Sequence, residues 1–397
     1  MKLKFFFLAL LICLNSFAQT VTEPPKEVKE SVSLNWYEKM QIRGYAQFRY
    51  NRLAETNKDL NCSACDRSIG DKQGFFMRRA RLTFFGEATP RVYYYIQPDF
   101  ASDAGTNQNY FQIRDAYFDY ALTLNKEWRI RTGISKVPFG FENLQSSSNR
   151  GPLDRSDSIN TAAPNERDTG VFLMYSPTEI RQRFKDLVSN NLKGTGDYGM
   201  FAIGAYNGQT LNRPERNNDI HRVARFTYPF KLASGRFIEA SVQAYEGKHF
   251  VAGTAPNANK DFYDQRSAVS LIAYPQPVGF QFEYSTGQGP EFDPDTNTIR
   301  TQELSGGYAM INYQLYVADH RLFPFLRYQE YEGGRKIDDD ARSYRVREWE
   351  LGTEWQPTPA MELTASYVVS DRFTQSRANS PSNEVGNLLR LQAQFNY

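Results

Sequence analysis

Cysteine and histidine are scarce in this chain of 397 residues, with three of each. Cys13 lies in the leading apolar run, which leaves Cys62 and Cys65 in the polar stretch NCSACD. Two cysteines cannot make a disulfide scaffold. A metal site would have to draw on His221, His249 and His320, and no metal or other cofactor is expected. A thioredoxin-like motif needs a helix start in a βαβ setting, which the surrounding pattern lacks. If the chain is exported, a local Cys62–Cys65 disulfide is the leading reading and two free thiols the next. The histidines sit in HRVARF, GKHF and DHRLF. None has the nucleophile and orienting acid that a hydrolase requires, so no catalytic residue is named.

Long apolar runs are missing too. After residue 18 none approaches the roughly 18 residues of a transmembrane helix. Charge of one sign is also lacking. The formal net charge of +2 includes Lys2 and Lys4, so the chain beyond residue 18 is neutral. Net charge gives no support to a general polyanion binder, and no nucleic-acid partner is expected.

What is present starts with MKLKFFFLALLICLNSFAQT. A basic start, an apolar core from Phe5 to Leu14 and Ser16-Phe17-Ala18 before Gln19 fit a secretory signal over residues 1–18. A lipoprotein signal would need a small residue where Ile12 stands. Residues 19–40 are polar, with Pro24 and Pro25, and read as an extension without fixed structure. From residue 41 to 397 the pattern is strand-like. In FFMRRARLTFFGEATPRVYYYIQPDF (Phe75–Phe100), Ala80, Leu82, Phe84 and Gly86 alternate with Arg79, Arg81, Thr83 and Glu87. Val92, Tyr94 and Ile96 alternate with Tyr93, Tyr95, Gln97 and Asp99. Strand side chains alternate faces, so each strand has one apolar and one polar face.

Sixteen such segments occur. The first two hold Ile42–Asn51 and Phe75–Glu87. Ten later ones centre on 198–206, 220–228, 237–246, 262–274, 278–285, 303–313, 323–331, 344–355, 361–369 and 388–397. Connections after odd segments are long and polar, and those after even segments are short. Such alternation suits an outer-membrane barrel, with lipid outside and a wet lumen inside. A soluble sandwich has no reason to keep it over a whole chain. The mean hydropathy of −0.61 is no objection, since only alternate residues meet lipid, and 29 Phe with 25 Tyr suit two interfacial girdles. One even connection, Ser176–Asp197, is long. Ile180, Phe184, Leu187 and Val188 fall at helical spacing in it, and a short amphipathic helix and an irregular insertion both remain open. The final LLRLQAQFNY is amphipathic and ends on Tyr397. It resembles the assembly signal of outer-membrane proteins, so the barrel-assembly machinery is an expected partner alongside lipid. This strand must pair with the first to remove both edges.

The blocks FMRRARLTFFGEATPRVYYYIQPDF, IRDAYFDYAL, WRIRTGISKVPFGFENL and NERDTGVFL, in this order, resemble the phosphate-selective porins O and P. That resemblance implies an all-β, 16-stranded antiparallel transmembrane barrel, a homotrimer, with a long third loop folded into the lumen. Here the loop would be Val137 to Arg167, which is also the longest connection by pattern. The family name implies passage of small hydrophilic solutes, including anions such as phosphate. By parity, Arg43, Arg49, Arg79, Arg81, Arg129 and Arg131 form a basic lumen wall, with Asp99, Asp115 and Asp119 as candidate partners. Glu239, Glu283, Glu303, Glu348, Glu350, Glu354 and Glu362 form an acidic wall opposite. Arg150, Asp154, Arg155, Asp157, Glu166 and Arg167 lie in the loop and are expected to set the narrowest point. Rings of Arg suit anion pores, but two opposed walls imply weak ion preference. A closed barrel serving as adhesin or anchor is the rival from another class, followed by a soluble secreted β-protein. Calcium binding at Ile337–Ala341 competes with a plain solvated acidic loop.

Overall fold

The computed structural model describes residues 35–60, 69, 73–102, 109–378 and 380–397. The expected signal segment, most of the extension and Cys62 and Cys65 lie outside the described residues. From Trp36 to Tyr397 the chain is one unit. Its wall strands are β1 Gln41–Leu53, β2 Gly74–Thr89, β3 Val92–Ser102, β4 Asn109–Ala121, β5 Trp128–Lys136, β6 Arg167–Tyr175, β7 Phe201–Tyr206 and β8 His221–Lys231. There follow β9 Phe237–Val251, β10 Lys260–Ala273, β11 Val278–Asp293, β12 Thr298–Tyr313 with its continuation Leu315–Val317, β13 His320–Gly334, β14 Ser343–Thr358, β15 Met361–Gln375 and β16 Ser382–Asn396. The two parts of β12 share one register on β13, with Asn312 opposite Phe325 and Leu315 opposite Leu322. They are therefore a single strand interrupted at Gln314.

Each strand pairs antiparallel with the next, and β1 pairs with β16 to close a ring of sixteen. At the seam Tyr45 lies opposite Asn396, and Gly44 and Tyr397 exchange backbone hydrogen bonds of 2.6 and 3.0 Å. Closure satisfies the backbone of both edges, which lipid could not do. Gly44 is needed here: a Cβ would lie 2.4 Å from the Arg81 carbonyl oxygen and 2.5 Å from the Tyr397 ring. Gly44→Ala should cost about 1–3 kcal/mol by overpacking and lower the yield of refolded barrel on a heat-modifiability gel. A wild-type yield would show that the seam gives way.

The burial of the wall is inverted relative to a soluble protein. In β9 Glu239, Ser241 and Gln243 are buried while Val242 is exposed. In β14 Glu348, Glu350 and Glu354 are buried while Trp349, Leu351 and Trp355 are exposed. Ile42, Phe118, Val171, Val269 and Ile311 extend the exposed apolar face. Such a belt is stable only against lipid. Among the described residues no helix is long and apolar enough to cross a membrane.

Among the described residues three α-helices lie in the connections: α1 Phe141–Leu144, α2 Asp157–Ala162 and α3 Thr178–Ser189. The last settles the open reading of Ser176–Asp197 in favour of a helix. It delays β7, which begins at Phe201 rather than Tyr198 because Gly199 turns the chain with a φ of +88° and donates to Asp197 at 3.0 Å. The connection after β11 also departs from the expected rule. It is only residues 294–297, because β11 and β12 are themselves extended into a long hairpin.

Candidate functional site

Strict alternation would place Arg78 and Arg114 on the apolar face. The strands avoid this with two bulges. In β2, Arg79 faces Gln47 and Met77 faces Phe48, which leaves Arg78 as an extra residue. In β4, Asp115 faces Gln97 and Ile113 faces Pro98, which leaves Arg114 extra. A bulge turns two successive side chains to one side, so Arg78, Arg79, Arg81 and Arg114 are all buried together. An arginine left on the lipid face would cost about 2–4 kcal/mol at mid-membrane. The adjacent charges Arg78-Arg79 and Arg114-Asp115, each within an apolar-alternating strand, are the signal that reveals both bulges.

These arginines border a cavity of about 320 Å³ with Asp99, Arg213, Arg335 and Lys336. It lies toward the long connections. A second cavity, of about 620 Å³, reaches the short turns at Thr89–Val92 and Lys126. It is lined by Arg43, Thr83, Tyr93, Tyr95, Tyr117, Arg131 and Glu362, among others. Arg81 and Asp99 border the first cavity, Thr83 and Gln97 the second, so the two adjoin along β2 and β3. At the junction Ser147 is clasped from the wall. Its Oγ accepts from Arg79 at 2.6 Å and from Arg81 at 3.1 Å, and lies 2.7 Å from the Tyr45 hydroxyl.

The other expected basic residues are placed as follows. Arg81 pairs with Asp99 at 3.0 Å, Arg131 grips Asp119 at 2.7 and 2.9 Å, and Arg129 pairs with Asp197 at 2.8 Å. Arg49 reaches Asp154 at 3.2 Å, and Arg43 is exposed over the Phe85 ring. The acidic residues are mostly engaged. Glu239 accepts from the Tyr274 hydroxyl at 2.6 Å and from Arg225 at 3.3 Å. Glu348 pairs with Arg372 at 2.5 Å, Glu350 with Arg327 at 2.7 Å and Glu354 with Lys193 at 2.6 Å. Glu283 accepts from the backbone N–H groups of Phe141 and Glu142 at 2.6 and 2.8 Å, and Glu362 accepts from Asn396 at 2.8 Å. Glu303 corrects the parity reading. Leu304, Tyr308, Met310 and Asn312 take the buried positions of β12, so Glu303 is exposed on the other face, opposite Gln288.

The third connection, residues 137–166, makes bonds to strands far round the ring. Asp154 lies between Arg49 of β1 and Arg390 of β16, the latter at 2.5 Å. Asp157 meets Arg372 of β15 at 3.2 Å and its N–H donates to Gln329 of β13 at 2.9 Å. Glu142 pairs with Arg327 of β13 at 3.1 Å, and Arg266 of β10 donates to Thr161 at 2.9 Å. Arg150 bonds within the segment, to the Pro152 and Leu153 carbonyls. Glu166 is held by Arg155, by Arg167 at 2.5 Å and by Arg114 at 3.3 Å, while Arg167 also pairs with Asp115 at 2.9 Å.

Burial by itself would raise the Glu166 carboxyl, but Arg155, Arg167 and Arg114 outweigh it and hold it well below the usual range. Its contribution to stability is therefore complete above the ordinary glutamate value of about 4.3 and is lost only as pH falls through the lowered one. Asp157 is shifted the other way: burial raises it, and Arg372 offsets only part of that. Ionising Asp157 as pH rises through its elevated value costs some stability. The Glu166 cluster should resist loosening in mild acid, so limited proteolysis at residues 137–166 should not increase as pH falls from 8 to about 5 and should rise below about pH 4. Cutting that rises already at pH 6 would contradict this.

Among the described residues no group of three or more His, Cys, Asp or Glu could hold a metal ion. At Ile337–Ala341 the Asp340 carboxylate accepts the N–H groups of Thr254 and Ala255, each at 2.7 Å, and Asp338 pairs with Arg335 at 2.9 Å.

The family model for phosphate-selective porin O and P matches residues 52–250 and 245–397. Solved structures share the fold at low identity. The outer membrane channel DcaP of Acinetobacter baumannii superposes with a TM-score of 0.57 at 17% identity, over 92% of this chain and 99% of that one. OmpF of Salmonella typhi, in complex with daunomycin, gives 0.58 at 13% identity over 90% and 97%. OprB of Pseudomonas putida at high pH gives 0.53 at 7% identity over 91% and 95%. No curated protein matches the chain.

Proposed function

The chain belongs to the phosphate-selective porin O and P family, and from that premise we propose where solute crosses this outer-membrane barrel and what the wall prefers. Porins of this kind let small hydrophilic solutes diffuse passively, without catalysis. The passage runs along β1–β5, through the two adjoining cavities. Residues 137–166 fold into the lumen as the third loop, and Ser147 with Tyr45, Arg79 and Arg81 forms the narrowest point. The contacts of that segment with β1, β10, β13, β15 and β16 support this reading, since only a path across the lumen reaches all five.

Arg43, Arg79, Arg81 and Arg131 line the path, with Arg49 and Arg129 bracing its sides. Glu239, Glu283, Glu348, Glu350 and Glu354 hold the loop and the far wall, while Glu362 faces the exit. The observation that carries the preference is the cavity at the long-connection end, where the described lining residues include Arg78, Arg79, Arg81, Arg114, Arg213, Arg335 and Lys336 and one carboxylate, Asp99, while Glu166, Asp338 and Asp264 pair with Arg114, Arg335 and Lys336 from behind the wall. Glu239, Glu283, Glu348, Glu350 and Glu354 border neither cavity, which leaves the balance toward anions, and phosphate is one such solute. In the proposed setting residues 19–40 lie in the periplasm after signal removal, three copies associate, and the strand ending at Tyr397 is read by the assembly machinery.

Planar-bilayer recording across a KCl gradient, with phosphate added afterward, tests this. Stepwise conductance with a reversal potential on the anion side is expected. Shortening Ser146–Ala162 should raise the conductance, and an unchanged step would contradict the constriction assignment. Folded, heat-modifiable protein without conductance would favour a closed anchor.

A further inference from the structure

The connection between β6 and β7 stands at the short-turn end, yet it runs through residues 176–200. α3 buries Ile180, Phe184 and Leu187 in a cluster with Leu192, Phe141 of the third connection, and Phe237, Ile272 and Tyr274 beside β9 and β10. After α3 the chain does not return to the wall. It turns at Asn191 and Lys193, which have φ of +53° and +68°, and reaches β14. There Asn191 donates to Gln356 at 2.9 Å and the Lys193 ammonium meets Glu354 at 2.6 Å. β14 lies half-way round the ring of sixteen from β6, so this segment spans the barrel.

Two side chains of the third connection hold its backbone. Gln145 donates to the Lys193 carbonyl at 2.6 Å and Asn149 to the Gly194 carbonyl at 2.9 Å. The return is fixed by Asp197, paired with Arg129 at 2.8 Å and Arg181 at 3.1 Å. Burial would raise Asp197, but Arg129 and the Gly199 N–H hold it below the usual carboxylate range. Asn191 and residues 194–198 border the 620 Å³ cavity along with β1–β5. One boundary of the exit is thus a crossing segment rather than a strand.

We propose that residues 190–198 are a strap that sets the size of the solute exit, with Lys193 as the positioning residue that fastens it to Glu354. The proposal rests on the reading of the adjoining cavities as the passage. A buried ion pair adds little net stability, but losing one partner leaves an uncompensated charge that drives the groups apart. α3 has its own apolar anchorage, so loss of the pair loosens the strap at its β14 end and leaves the helix in place.

The full-length protein is compared in planar bilayers as wild type, Lys193→Glu, Glu354→Lys and the exchanged double variant, each checked for a heat-modifiable band. Lys193→Glu sets a carboxylate against Glu354, and its single-channel conductance should rise about twofold, with larger neutral solutes admitted in liposome swelling. The double variant should return both readouts to near wild type, which a general loss of packing would not do. A folded Lys193→Glu channel with wild-type conductance and size limit overturns the proposal, and so does a double variant that stays as open as the single one. If Lys193→Glu does not fold, Lys193→Met takes its place with the same expectations, and Lys193→Arg should keep the wild-type values. Wild-type protein that folds but passes no current would instead overturn the passage itself.

Discussion

Arg79→Glu should lower the preference for chloride over potassium by up to about a hundredfold at low salt. Arg79 is 4% exposed, donates to Ser147 and borders the arginine-rich cavity. The substitution removes one positive charge and adds a negative one. At about 6 Å in water each unit of charge is worth about 0.7 kcal/mol to a passing ion, so the change of two units disfavours chloride and favours potassium by about 1.4 kcal/mol each, a factor of about ten for either ion and about a hundred for their ratio. Arg78 and Arg81 flank the new carboxylate, so it has cationic neighbours and the barrel should still fold. The reversal potential across a KCl gradient reads the effect, and 1 M salt should shrink it by screening. A reversal potential identical to wild type would remove Arg79 from the path.

The second large effect concerns the loop's deepest anchor. Arg327 is 1% exposed and joins Glu142 at 3.1 Å, Glu350 at 2.7 Å and the Asp154 carbonyl at 2.8 Å. Arg327→Met keeps the bulk but leaves two buried carboxylates without their shared partner. Breaking a buried pair in this way costs about 3–5 kcal/mol. The sixteen-strand ladder should survive and the loop should not hold its place. Conductance should become larger and noisy, with a lower thermal midpoint by near-ultraviolet circular dichroism. Glu350→Gln added to Arg327→Met should recover part of the loss, because it removes one of the orphaned charges. A quiet, wild-type trace from Arg327→Met would mean that the loop is held elsewhere.

The wall was readable from the chain because alternation is a local signal. Tyr93, Tyr95, Gln97 and Asp99 keep one parity through β3, and the same held for the final strand down to its pairing with β1. Glu303 was misread for a related reason: at the loop end of β12 the polar residues Thr301, Gln302 and Glu303 give no alternation to follow, and only Leu304, Tyr308 and Met310 fix the face. Arg78 and Arg114 were missed because a bulge breaks the period, and the adjacent charges that mark each bulge gain their meaning only beside the register of the partner strand. The loop anchors were hidden for another reason. Arg327 and Glu142 are distant in sequence and meet only when the barrel closes around them, so no spacing in the chain announces the pair. The helix in the β6–β7 connection was half visible. Ile180, Phe184 and Leu187 keep helical spacing, but nothing local says that Lys193 would bond the opposite side.

The two bulges also bear on how such a wall can change over generations. Gln47 faces Arg79 and Phe48 faces Met77 on either side of Arg78. Deleting Arg78 would therefore leave every other pair of β1 and β2 in register and restore plain alternation. Most deletions inside a strand flip the residues beyond them to the opposite face. This one would subtract a single cation and keep the backbone pairing of β1 with β2. Arg114 has the same backbone setting between Asp115 and Ile113, but its side chain holds Glu166 at 3.3 Å, so its loss would also loosen that cluster. Loss of the single codon for Arg78 would thus lower the charge of the mouth by one unit without moving the register of the wall.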